Sequence, residues 1–245
     1  MLEFEEKPSD IVLVIGGGKP FINWIGNWPQ SKNVFCIDRD PSLPYWSDPR
    51  FIRGDVLHLV SLCSHDRRLR GMPISTIHAD FLLNALPNEV GDKGIRVADI
   101  IKNQALLLDE AFPVNVREWF DKIKNGAINI NEGDLMKVRE LTEQRALQQM
   151  WEVLAVGGEI VIVDRRHVID RVISDTAGIL QVDQKRVEVT PLEINLSDRM
   201  RSNSLRKILL VRHEPISNVG KICLRKLEVP LLVIPQGYYR GDDCY

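Results

Sequence analysis

No stretch of this chain stays apolar for the roughly 20 residues that a membrane-spanning helix needs, and the acidic start Met1-Leu2-Glu3-Phe4-Glu5-Glu6 lacks the basic and apolar regions of a secretory signal. The expectation is a cytoplasmic protein with no membrane partner. Neither sign of charge prevails, because 32 Lys and Arg stand against 34 Asp and Glu. A broad nucleic-acid or membrane-surface role therefore draws no support from net charge. Close cysteine pairs are also missing: Cys36, Cys63, Cys223 and Cys244 form no C-x-x-C motif. That spacing argues for free thiols rather than a disulfide framework or a zinc site. His58 and His65 lie near Cys63, but without the spacing of a metal site or an activated thiol, so no metal is expected. Internal repeats and low-complexity segments are absent too.

What is present is a core-forming pattern. With 245 residues, 44% of them apolar, the chain can bury one full core. Short apolar runs alternate with longer amphipathic stretches over the first two thirds, which predicts a mostly parallel α/β sheet with helices on both faces. Strands are expected at Ile11 to Ile15, Asn33 to Ile37, Arg50 to Arg53, Ile74 to His78 and Glu159 to Val163. Pro20 suits the first turn of a short helix that ends near Trp28-Pro29. A further helix is expected from Gln144 to Leu154, followed by a turn at Val156-Gly157-Gly158. Residues 87–141 read as an insertion with helical patterning around Ile100 to Glu110 and Val116 to Lys124, a possible substrate lid. Within 186–236, β-like runs at Arg186 to Ile194, Leu205 to Arg212 and Val219 to Ile234 suggest antiparallel strands at one sheet edge. The whole of 1–245 thus reads as a single domain ending in a polar tail from Gly237.

The chemistry-bearing feature is Gly16-Gly17-Gly18, directly behind the first apolar run, with Asp38 ending the second run twenty residues after Gly18. A turn without side chains lets backbone N–H groups approach a ligand, and a carboxylate at that distance can accept from ribose hydroxyls. A dinucleotide fingerprint would place a third glycine where Phe21 stands. Gly54-Asp55-Val56 and Ala79-Asp80-Phe81 follow the third and fourth runs, and Val156-Gly157-Gly158 leads into the fifth.

In order and spacing these segments, over roughly residues 10 to 165, resemble class I S-adenosylmethionine-dependent methyltransferases. The resemblance implies a Rossmann-like methyltransferase fold and S-adenosylmethionine as cofactor. It places Gly16, Gly17 and Gly18 under the methionine and ribose portions, Asp38 at the ribose, Asp55 at the adenine and Ala79 beside the sulfonium, with Arg39 and Val56 also among the cofactor-binding residues. Asp80 becomes the candidate catalytic group. The implied reaction is methyl transfer to a small-molecule or protein acceptor. No N-P-P-Tyr sequence follows the fourth run, so a nucleic-acid base is not indicated, and a homodimer is left open.

Alternatives stay open beside this reading. The family usually has an acidic residue where Val14 stands, and this chain continues its glycines as Lys19-Pro20. Those two departures motivate a methyltransferase-fold scaffold or partner subunit without catalysis. The run Val12-Leu13-Val14-Ile15-Gly16-Gly17-Gly18 also resembles aminopropyltransferases of the spermidine synthase kind, although the acid those enzymes place after the triple glycine is Lys19 here. Asp38 and Asp55 also suit ordinary turns. His78 suits a core position, Trp24, Trp28, Tyr45 and Trp46 suit packing, and Asp164-Arg165-Arg166-His167 suits a solvated charged loop.

Overall fold

The computed structural model describes residues 11–16, 33–38, 48–80, 82–85, 118, 121, 122, 125, 132–195 and 215–228. Seven strands form one sheet: β1 (Ile11–Ile15), β2 (Val34–Asp38), β3 (Phe51–Arg53), β4 (Ile74–Asp80), β5 (Leu154–Arg165), β6 (Val187–Pro191) and β7 (Val219–Lys226). Their order is β3-β2-β1-β4-β5-β7-β6. The first five run parallel, while β7 is antiparallel to both β5 and β6. This is the Rossmann-like methyltransferase architecture, a mostly parallel sheet with an antiparallel C-terminal edge.

The apolar runs become strands because both sheet faces are buried, which removes the polar alternation of a half-exposed sheet. On one face Leu13, Ile15, Ile37, Ile77, Ala79, Ile160, Ile162, Ile222 and Leu224 join a single core cluster with residues of the described helices. Those helices are α1 (Leu59–His65), α2 (Leu82–Ala85), α3 (Glu132–Val153), α4 (Arg166–Ser174) and α5 (Thr176–Leu180). On the far face Val14, Val34, Cys36, Val161 and Val163 are buried as well. The helix expected between Pro20 and Trp28 lies outside the described residues, as do the runs at Ile100 to Glu110 and Leu205 to Arg212.

Polar side chains on α3 tie the helix layer together, so this helix is not simply apolar on its packed side. Gln149 Oε1 accepts from Val60 N at 3.1 Å, satisfying an amide in the first turn of α1, and Gln148 Nε2 donates to Ile179 O at 3.0 Å. Glu143, 6% exposed, pairs with Arg171 of α4. A buried acid without that partner would be costly.

Several boundaries differ from the sequence expectation, each for a physical reason. The helix expected from Gln144 begins at Glu132, so the last ten residues of the supposed 87–141 insertion belong to α3. The expected turn at Val156-Gly157-Gly158 lies inside β5. There Ile74 faces Leu154 while Thr76 faces Glu159, so three extra residues bulge out of the β4–β5 ladder. Gly157 adopts φ +81 to make the bulge, and Val156 is left 61% exposed. Finally, Arg166 and His167 open α4 instead of lying in a charged loop. Val168, Ile169 and Val172 give that helix a buried stripe, and Gly220 of β7 lets Ile169 approach so closely that a Cβ there would sit 3.0 Å from its side chain.

Candidate functional site

Parallel order places the carboxyl ends of β1 to β5 along one edge, where open α/β sheets hold ligands. The register lines up Ile37, Ile15, Ala79 and Ile162 across four adjacent strands. One residue further along each strand come Asp38, Gly16, Asp80 and Val163, and the row continues to Arg53 on β3 and Lys221 on β7. Residues paired laterally share a face, so Asp38, Asp80 and Lys221 all belong to the far face. Asp38 and Asp80 are two strand spacings apart, about 10 Å.

Gly16 makes the turn that ends β1. Its φ is +72, a left-handed conformation that favours glycine, and nothing lies within 4 Å of where a Cβ would be. Its N–H donates to Ile37 O at 2.8 Å, which ties the turn to β2 just before Asp38. Asp38 is partly buried, and its carbonyl accepts from Gly54 N at 3.0 Å. That bond fixes the chain leaving β3 against the end of β2 and so brings Asp55 to the same edge.

Asp55 has a structural task. It is the N-cap of a 3-10 turn at Val56–His58, its Oδ1 accepting from Leu57 N at 2.9 Å. Val56 is 3% exposed and Ala79 fully buried, so their side chains belong to the core. At these two positions only backbone groups remain to face a ligand. Asp80 is partly buried at the end of β4, and His78, one row inward on the same face, is partly buried too. Gly17, Gly18, Arg39, Tyr45 and Trp46 lie outside the described residues.

The residues present fit the ribose end of a nucleoside cofactor: a side-chain-free turn faces a carboxylate on the neighbouring strand. At the methionine end the fit departs from the family pattern, because Val14, 1% exposed, is a core residue where an acid is usual. Among the described residues, no group of three His, Cys, Asp or Glu side chains could hold a metal ion. No described helix is long and apolar enough to cross a membrane.

Two thiols near this framework are held in the protonated form. Burial pushes Cys63 up to about 11, helped by the charge of Asp66, and burial pushes Cys223 up to about 11 with Glu159 adding to it. Cys223 Sγ donates to Glu159 Oε2 at 3.4 Å. Neither is suited to act as a nucleophile, which needs a thiolate.

Lys221 carries no motif in Val219-Gly220-Lys221, and only the antiparallel pairing of β7 brings that lysine to this edge, opposite Val163. Arg165 was named, but its neighbour across the sheet was not visible in one dimension.

No family model matches this chain, and no curated relative does. Among solved structures it is similar to an rRNA methylase from Streptococcus thermophilus, at 12% identity over 89% of this chain and 88% of that one, with a TM-score of 0.41. It is similar to the N-methyltransferase NodS from Bradyrhizobium japonicum WM9 in complex with S-adenosyl-L-homocysteine, at 12% identity, 89% and 79% coverage and a TM-score of 0.41. A third is the antibiotic-resistance methyltransferase Kmr, at 12% identity, 90% and 88% coverage and a TM-score of 0.39. By its own strand order and direction, the chain has the class I S-adenosylmethionine-dependent methyltransferase fold.

Proposed function

We propose that this protein is an S-adenosylmethionine-dependent methyltransferase acting on a small-molecule or protein acceptor. The observation that supports it most is one row at the carboxyl edge, in which the left-handed Gly16 lies between Asp38 and Asp80.

In this reading Asp38 accepts from both ribose hydroxyls, and the turn at Gly16, continued by Gly17 and Gly18, passes beneath the ribose and methionine. Arg39, Asp55 and Val56 border the nucleoside, with Asp55 also holding its own turn. The backbone of Ala79 borders the reacting region. S-adenosylmethionine supplies a methyl group already bonded to a good leaving group, so the chain's work is mainly binding, alignment and exclusion of water. In the same reading Asp80, at the end of β4, takes a proton from an acceptor whose attacking atom carries one.

Thermal unfolding with S-adenosylmethionine and with S-adenosylhomocysteine tests the reading, because a ligand that binds only the folded state raises Tm. A rise of several degrees at about 1 mM is expected. The buried Val14 favours a second reading, a methyltransferase-fold scaffold or partner subunit without catalysis. An unchanged Tm with both ligands would select it.

A further inference from the structure

We propose that Asn125 is a site of spontaneous deamidation, converted in the folded protein through a cyclic imide to aspartate and isoaspartate. The proposal is independent of the cofactor reading.

The chain holds a single Asn-Gly pair, Asn125-Gly126. Glycine at the second position matters because the backbone nitrogen that follows an asparagine is the attacking group. Without a Cβ that nitrogen is least crowded, and its backbone is freest to turn towards the side chain. Asn125 is exposed and lies in a turn behind the helical residues Glu118, Asp121 and Lys122, which are exposed as well. Its own N–H donates to Asp121 O at 2.9 Å, which closes the end of that helical turn. Helix ends fray more readily than helix interiors, so the rotation at Asn125 that attack requires needs only local opening.

The step balances with water as the only co-reactant. The Gly126 nitrogen gives up its proton and bonds to Asn125 Cγ, and the side-chain amide nitrogen departs as ammonia. Water then adds to either carbonyl of the imide. Opening at the former side-chain carbonyl leaves aspartate, and opening at the backbone carbonyl leaves isoaspartate, whose main chain runs through the old side chain. Either product puts a negative charge four residues after Asp121, where like charges and the helix dipole both oppose it.

Asn218 provides the contrast within the same chain. It too is exposed, and its N–H donates to Pro215 O at 3.0 Å, again at the end of a helical turn. The residue that follows it is Val219, whose branched Cβ crowds the nitrogen and whose place in β7 fixes the backbone. Exposure alone does not choose the site; exposure together with Gly126 does.

The test is incubation of the full chain in heavy-oxygen water at mildly alkaline pH, followed by peptide mapping with mass spectrometry. Folded wild type is compared with wild type in urea and with folded Gly126→Val. The Asn125 peptide is expected to take up heavy oxygen before any other asparagine peptide, to split into aspartate and isoaspartate forms, and to do so faster as pH rises, because the attacking nitrogen must lose its proton. Gly126→Val should slow the conversion by about tenfold, while Asn218 stays unchanged in all samples. Conversion of Asn125 in urea but not in the folded chain, conversion of Asn218 at the same rate, or an equal rate in Gly126→Val overturns the proposal. The comparison of folded and urea-unfolded wild type holds even where Gly126→Val does not fold.

Discussion

Lys226 of β7 closes the end of α3 at Trp151: its Nζ donates to Trp151 O and to Leu154 O, both at 2.9 Å, and stands 5.5 Å from the Trp151 ring centroid. The last carbonyls of a helix have no partners within it, so a cation from the antiparallel edge satisfies them and meets the negative end of the dipole. Lys226→Met keeps the packing and removes both bonds. It should cost about 1 to 2 kcal/mol, less than a fully buried charged bond because the amine is only partly buried, measured by urea unfolding.

Two Asp-x-Arg turns repeat one device and brace each other. Asp48 accepts from Arg50 N, Nε and the terminal guanidinium at 2.9, 2.9 and 2.6 Å, and Asp66 grips Arg68 in the same way at 2.9, 2.9 and 2.5 Å. Arg68 then donates to Pro49 O and Phe51 O, at 2.7 and 3.0 Å. The arginine hydrogen bonds hold both aspartates below the ordinary 3.8. Their stabilisation is therefore complete above about pH 4 and lost as pH falls through the lowered values. Asp48→Asn with Asp66→Asn should flatten the stability curve below pH 4, as read from acid unfolding followed by circular dichroism.

Thiol chemistry should be slow. With Cys63 and Cys223 both near 11, the thiolate fraction at pH 8 is about one in a thousand, against about one in ten for an ordinary cysteine. A disulfide-exchange reagent should label the two about a hundredfold more slowly than free cysteine. Because both values are raised, these thiols favour the folded state below about pH 9, and that contribution disappears as pH rises through 11. Labelling at the free-cysteine rate would show that the folded chain does not bury them.

Gly16 and Gly158 should respond differently to alanine. At Gly16 the space is open and only the positive φ resists, so Gly16→Ala should cost about 1 kcal/mol. At Gly158 a Cβ would lie 2.9 Å from Ala155 O and 2.9 Å from Ser75 O, both backbone atoms that cannot turn aside. Gly158→Ala should cost about 2 to 3 kcal/mol by forcing the β4–β5 bulge to move. Equal losses in thermal unfolding would contradict this difference.

Asp38→Ala should weaken S-adenosylhomocysteine binding by about 1.5 to 3 kcal/mol, the range for hydrogen bonds to a charged group. Isothermal titration reads it directly. An unchanged affinity would remove Asp38 from the site.

The parts of this fold that were legible are those where local chemistry and tertiary context agree. Ile11 to Ile15 is wholly apolar because its strand is central and covered on both faces, and it folds with the expected boundaries. Arg166 and His167 misled because two polar side chains after a strand read as a loop, whereas the helix they open is decided by Val168, Ile169 and Val172 behind them. Gly157-Gly158 correctly signalled an irregular backbone, but a bulge within a strand and a turn before one share the same residues. Asp38 could be placed at the end of its apolar run, whereas Asp80 was expected just after a strand ending at His78 and is instead the last residue of β4. The capping role of Asp55 and the position of Lys221 depend on a hydrogen bond and a strand pairing that a linear reading does not contain.

The reversed direction of β7 also separates the edge into two independently adjustable parts. Gly16, Asp38 and Asp80 come from the first eighty residues, while Arg165, Arg166 and Lys221 come from the second half of the chain. A substitution or a change of length in the 215–218 turn reaches the edge without passing through β1, β2 or β4. The start of β7 can thus be altered with the glycine turn and its facing carboxylate left in place.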